Sequence, residues 1–169
     1  MCKQRCTRSA ALIAFWLLGL AAQTCVARTL DIALNDVRTA GATFYMAVYT
    51  VGEGQGSWQQ EPYQTLKFIL PKDTLLSANT TVELQLDLPD GRYAIRGYID
   101  IDGSGKLETA RFNRPTEPFT ISSGAGRDKP SVHFHNAVFT LNDTNTSLQL
   151  TLFYPDDARV QEQPSDELE

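Results

Sequence analysis

Hydrophobic and polar residues alternate with a period of two along most of this chain, the spacing that puts one set of side chains on each face of an extended strand. Leu30, Ile32 and Leu34 alternate with Thr29, Asp31, Ala33 and Asn35. After the Ala40-Gly41 break, Phe44, Met46 and Val48 alternate with Tyr45, Ala47 and Tyr49. Leu66, Phe68 and Leu70 follow, stopped by Pro71. Val82, Leu84, Leu86 and Leu88 alternate with Glu83, Gln85 and Asp87 until Pro89-Asp90-Gly91 makes a turn. Tyr93, Ile95, Gly97 and Ile99 come next, and near the end Leu148, Leu150, Leu152 and Tyr154 share a face. The pattern predicts about seven strands with no long apolar run at helical spacing, which pack as an all-β antiparallel sandwich. Between the second and third strands, Gly52 to Tyr63 reads as a polar loop with a short helical turn around Pro62 to Thr65.

The ends are different in kind. Lys3, Arg5 and Arg8 precede an apolar stretch, Ala10 to Ala22, and Cys25 and Ala27 are small residues at the −3 and −1 positions of a cleavage site. That apolar stretch is about 13 residues, short of the roughly 20 that cross a bilayer as a helix. Residues 1–27 therefore read as a signal peptide, 28–155 as the β-domain and 156–169 as an acidic tail expected to be disordered. The expected location is the periplasm or outside the cell, with no stable membrane span after cleavage. Loss of the leader removes three basic residues and takes the net charge from −5 to −8. It also removes all three cysteines, Cys2, Cys6 and Cys25, so the domain is held by its core without disulfides. An acidic surface argues against nucleic acid as a partner, since phosphate binding needs clustered Lys and Arg.

The stretch Asp100 to Glu108, DIDGSGKLE, carries the most chemistry. Numbered as a calcium loop, Asp100, Asp102 and Ser104 fall at positions one, three and five. Lys106 offers its carbonyl at seven and Glu108 its carboxylate at nine, with Gly105 at the sharp turn. A hard cation wants six to eight oxygens, and alternating short acidic side chains can wrap around one. Position twelve should be a bidentate Glu and is instead Arg111, so the site needs an oxygen from elsewhere: Asn113, Glu117 and Asp128 are the candidates. The flanks are strands, which excludes a helix–loop–helix site. The alternative is a hairpin loop whose Asp and Ser side chains bond their own backbone while glycine supplies positive φ.

The run from Leu88 to Gly126 resembles a bacterial family of exported domains, domain of unknown function 2141. The resemblance lies in Leu88 to Ala94 (LPDGRYA), the Asp100–Glu108 loop, Pro115 to Phe119 (PTEPF), Ser122-Ser123 and Lys129-Pro130-Ser131. The opening strands also fit, so it covers nearly the whole expected mature chain. It implies an exported β-sandwich and assigns no activity. His135-Asn136 stand where the family usually has acidic residues.

Other chemistry is weaker. His133 and His135 share a strand face, about 7 Å apart, and could hold copper or zinc with further ligands. Ser122 or Ser123 with His135 supplies the ingredients of a hydrolase, without a nucleophile elbow. Trp58, Tyr45, Tyr49 and Tyr63 cluster near one loop and read as core and strand aromatics. The turn before Tyr93 resembles a tyrosine corner, in which the phenol bonds to backbone a few residues upstream. Together these readings give an immunoglobulin-like or transthyretin-like sandwich. It acts as an exported non-catalytic binding or structural module of the cell envelope, with a weak Ca²⁺ loop at Asp100, Asp102, Ser104, Lys106 and Glu108. Its partner would be an envelope protein or an extracellular ligand. The alternatives are a histidine-dependent periplasmic metal-binding protein and an exported hydrolase.

Overall fold

In the computed structural model, residues 27–52, 56–72, 80–111, 114–122 and 133–155 are described; the acidic tail and all of the expected leader but its last residue, Ala27, lie outside them, as do Asn113, Ser123 and Asp128. Among the described residues, eight strands form two sheets: β1 (Ala27–Asn35), β2 (Thr43–Thr50), β3 (Gln64–Ile69), β4 (Val82–Pro89), β5 (Gly91–Asp100), β6 (Phe119–Ile121), β7 (Phe139–Leu141) and β8 (Ser147–Thr151). The smaller sheet has the order β4-β1-β8 and the larger β3-β2-β5-β6, with β7 also on β5. All pairs are antiparallel except β1 with β8, which run parallel, Ile32 opposite Leu148. The all-β sandwich expected from the alternation is what the chain forms.

Each strand has one apolar face, and two sheets stacked face to face are the arrangement that buries all of them. Leu30, Ile32 and Leu34 of β1 and Leu84, Leu86 and Leu88 of β4 meet Phe44, Met46 and Val48 of β2 and Tyr93, Ile95 and Ile99 of β5. Burying each such side chain is worth about 1.5–3 kcal/mol relative to leaving it in water. The turn Pro89-Asp90-Gly91 carries the chain from the smaller sheet to the larger. There the Tyr93 hydroxyl donates to the Pro89 carbonyl at 2.8 Å, so the tyrosine corner is formed. Asn142 makes the return crossing between β7 and β8, its Oδ1 accepting the N–H groups of Thr144 (3.1 Å) and Asn145 (2.9 Å).

One expectation needs correction. The short helical turn placed at Pro62 to Thr65 falls earlier, where the Gln60 N–H donates to the Ser57 carbonyl at 3.3 Å. Gln64 and Thr65 already belong to β3, drawn in by pairing with Val48 and Ala47. The outer face of the larger sheet is partly covered. Tyr49 and Ala94 turn outward and are covered by Phe134 and Ala137 of a 3-10 turn, Phe134–Ala137, and by Trp58. Phe134 lies so close over Gly56 that a Cβ there would fall 2.0 Å from its Cε1. No helix among the described residues is long and apolar enough to cross a membrane.

Candidate functional site

The site grows from the end of β5. Tyr98 pairs with Phe119 of β6, and the Ile99 N–H donates to the Pro118 carbonyl at 2.8 Å. One step further along that register, Asp100 meets Glu117. The chain between them leaves the sheet as a loop, closed again by the Thr116 N–H on the Glu108 carbonyl (2.9 Å) and the Ala110 N–H on the Arg114 carbonyl (2.8 Å).

Two buried carboxylates organise that loop. Asp100, 6 % exposed, accepts the N–H groups of Gly103 (2.8 Å) and Ser104 (3.1 Å) on Oδ1 and of Gly105 (3.0 Å) on Oδ2. Gly103 and Gly105 sit at φ 78° and 73°, the left-handed region that lets successive amides turn toward one carboxylate. Glu117, 5 % exposed, accepts the Ile101 N–H on Oε1 (2.9 Å) and the Glu108 N–H on Oε2 (3.4 Å), tying the two limbs together. Asp102 is exposed and accepts the Ser104 N–H at 2.9 Å. That N–H first, and the Ser104 hydroxyl second, hold its carboxyl below the usual carboxylate range.

One oxygen from each of Asp100, Asp102 and Glu117 lies within 4.8 Å of the others. Oxygens around one Ca²⁺, at bond lengths of about 2.3–2.6 Å, are at most about 5 Å apart, so the three fit a shared ion. Of the expected ligand set, Asp100 and Asp102 are therefore brought together, and of the three outside candidates Glu117 is the one placed beside them. Ser104 Oγ donates to the Lys106 carbonyl at 3.1 Å, and Glu108 reaches the group through its backbone N–H. Arg111 is exposed. Among the described residues none of the three carboxylates forms an ion pair. An aromatic wall stands beside them: Tyr45 and Tyr98 stack at 5.1 Å and 5° with the Lys67 ammonium 4.9 Å from the Tyr45 ring. Burial first, then Tyr45, Asp100 and Glu117, pushes the Tyr98 phenol up to about 12.

The other candidates are placed as follows. Ser122 is fully buried; its hydroxyl donates to the Ala137 carbonyl at 2.5 Å and accepts the Ile95 N–H at 2.9 Å. It is a structural link between β5 and the 3-10 turn, and His135 is not among its partners. His133 and His135 are exposed and stack on each other, and no third His, Cys, Asp or Glu joins them among the described residues. Tyr49 is wholly buried, and Trp58 packs edge-on against it at 5.3 Å, both flanked by the Arg96 guanidinium. Sequence reasoning missed the covered outer face; Phe134 between two polar histidines was the available signal.

Sandwich and corner together define a class: an all-β domain with an acidic loop inserted between two paired strands of its larger sheet. Over residues 32–149 the chain matches the family described as an uncharacterized protein conserved in bacteria, domain of unknown function 2141, and it belongs to that family. No curated protein matches it, and no solved structure does.

Proposed function

We propose that this chain is an exported, non-catalytic module of the cell envelope that binds an envelope protein or extracellular ligand, and that its acidic corner takes Ca²⁺. The supporting observation is the convergence of Asp100, Asp102 and Glu117 within 4.8 Å. Six backbone N–H bonds reach these three carboxylates. A carboxylate has about four lone-pair sites, so roughly half of their acceptor capacity is left for a cation. The amides already hold the loop in shape, so binding orders little. Three carboxylates fall short of the six to eight oxygens Ca²⁺ takes, and backbone carbonyls and water make up the rest. The affinity expected is therefore in the weak extracellular range, about 10⁻⁴ to 10⁻³ M. The buried, doubly bonded Ser122 hydroxyl supports the non-catalytic side of the reading, because its proton is already engaged by Ala137.

Calorimetric titration of the purified protein with Ca²⁺, beside Asp102→Ala, tests this. One saturable site that the substitution abolishes is the expected result. Titration heats no larger than dilution in the parent would leave the corner a hydrogen-bonded turn.

A further inference from the structure

A second set of metal-ligating side chains lies near the other end of β5. Phe134 packs over Ala94, six residues from Asp100 and therefore about 20 Å along the strand from the acidic corner. Either side of Phe134 stand His133 and His135, both exposed, with ring centroids 5.5 Å apart and planes within 16° of parallel.

The backbone that carries them is pinned at several points. Phe134, 7 % exposed, sits against Trp58 (4.8 Å) and Tyr49 (6.1 Å). Ala137 is fully buried and its carbonyl is held by Ser122. The His133 carbonyl accepts the Asn136 N–H at 2.9 Å and the His135 carbonyl accepts the Val138 N–H at 3.5 Å. With Phe134 locked inward, its two neighbours project outward together. Among the described residues neither imidazole has a hydrogen bond or an ion pair, so their nitrogens are uncommitted.

We infer that His133 and His135 form an open two-imidazole site for a borderline divalent transition ion, Cu²⁺ above others. Two imidazole nitrogens on one ion, with bonds of about 2.0–2.1 Å near a right angle, stand about 3 Å apart. Rings already parallel at 5.5 Å reach that by tipping toward each other about their side-chain bonds. Imidazole suits Cu, Ni and Zn, and affinity at such a site follows the order that peaks at Cu²⁺; Ca²⁺ prefers oxygen and stays at the acidic corner. A closed carrier site needs a third protein ligand, and among the described residues there is none. The pair is instead an exchange site, with open positions for water that fill and empty with the free metal.

The test is a Cu²⁺ titration of the purified protein, with any retained cysteines alkylated, followed by electron paramagnetic resonance. One ion per chain with two imidazole nitrogens in its coupling pattern is expected. His133→Ala and His135→Ala should each weaken binding about a hundredfold, because the second imidazole of a linked pair acts at high effective concentration, and each should leave a single nitrogen. A double variant that binds Cu²⁺ as tightly as the parent, or a parent spectrum without two imidazole nitrogens, overturns the inference.

Discussion

Asp100 and Asp102 sit two residues apart and face opposite fates. Asp100 is buried and receives three backbone N–H groups; Asp102 is exposed and receives one. Without metal, Asp100→Ala leaves those amides short of their acceptor and should cost about 1–3 kcal/mol in urea unfolding. Asp102→Ala in the same assay should stay within about 0.5 kcal/mol, as surface substitutions do. Equal losses would contradict the division of labour between them. Tyr93→Phe isolates the corner bond to the Pro89 carbonyl, and its loss should cost about 0.5–1.5 kcal/mol. Gly103 and Gly105 are the residues that make the amide cradle geometrically available, since their φ of 78° and 73° is disfavoured for other residues.

Among elements, β5 does most to position the candidate site. It pairs with β2 along one edge and shares the other between β7, opposite Gly91–Tyr93, and β6, opposite Arg96–Tyr98. Gly97 lies in its middle where a Cβ would come 2.5 Å from the Phe44 ring and 2.8 Å from the Tyr45 carbonyl. Gly97→Ala should therefore destabilise by about 1–3 kcal/mol through overpacking, seen as a lowered urea midpoint with unchanged slope. The long strands were legible because their alternation runs over several residues, as in Val82 to Leu88. β6 and β7 have three residues each, too few for a period to register, and they form because β5 offers an unpaired edge. The site was half legible for a related reason. Asp100 and Asp102 follow from loop spacing, whereas Glu117 enters through strand register, and the sequence left it level with Asn113 and Asp128. The parallel β1–β8 pair was invisible too, because period two does not encode strand direction.

On the scale of the whole molecule, charge governs the response to solvent. Burial raises the phenols of Tyr49 and Tyr154 above 10.0, against the Arg96 charge in the first case, and Tyr98 reaches about 12. A phenol whose folded value is raised holds its proton more tightly when folded. Its stabilising effect is thus complete below the unfolded value of 10.0 and is lost as pH climbs toward 12. The contribution of these phenols should be constant up to about pH 10 and fall above it, with a shallower fall in Tyr98→Phe; a parent with no decline there would contradict the burial of these rings. The same acidic corner that helps raise Tyr98 is the proposed attraction for a cation. The most direct measurement is thermal unfolding of the protein in excess EDTA and then in millimolar Ca²⁺, with an Asp100→Ala/Asp102→Ala variant alongside. A ligand that binds only the folded state must raise the melting temperature, so the parent should show a Ca²⁺-dependent rise and the variant none. Identical melting of the parent in EDTA and in Ca²⁺ would contradict the proposed site.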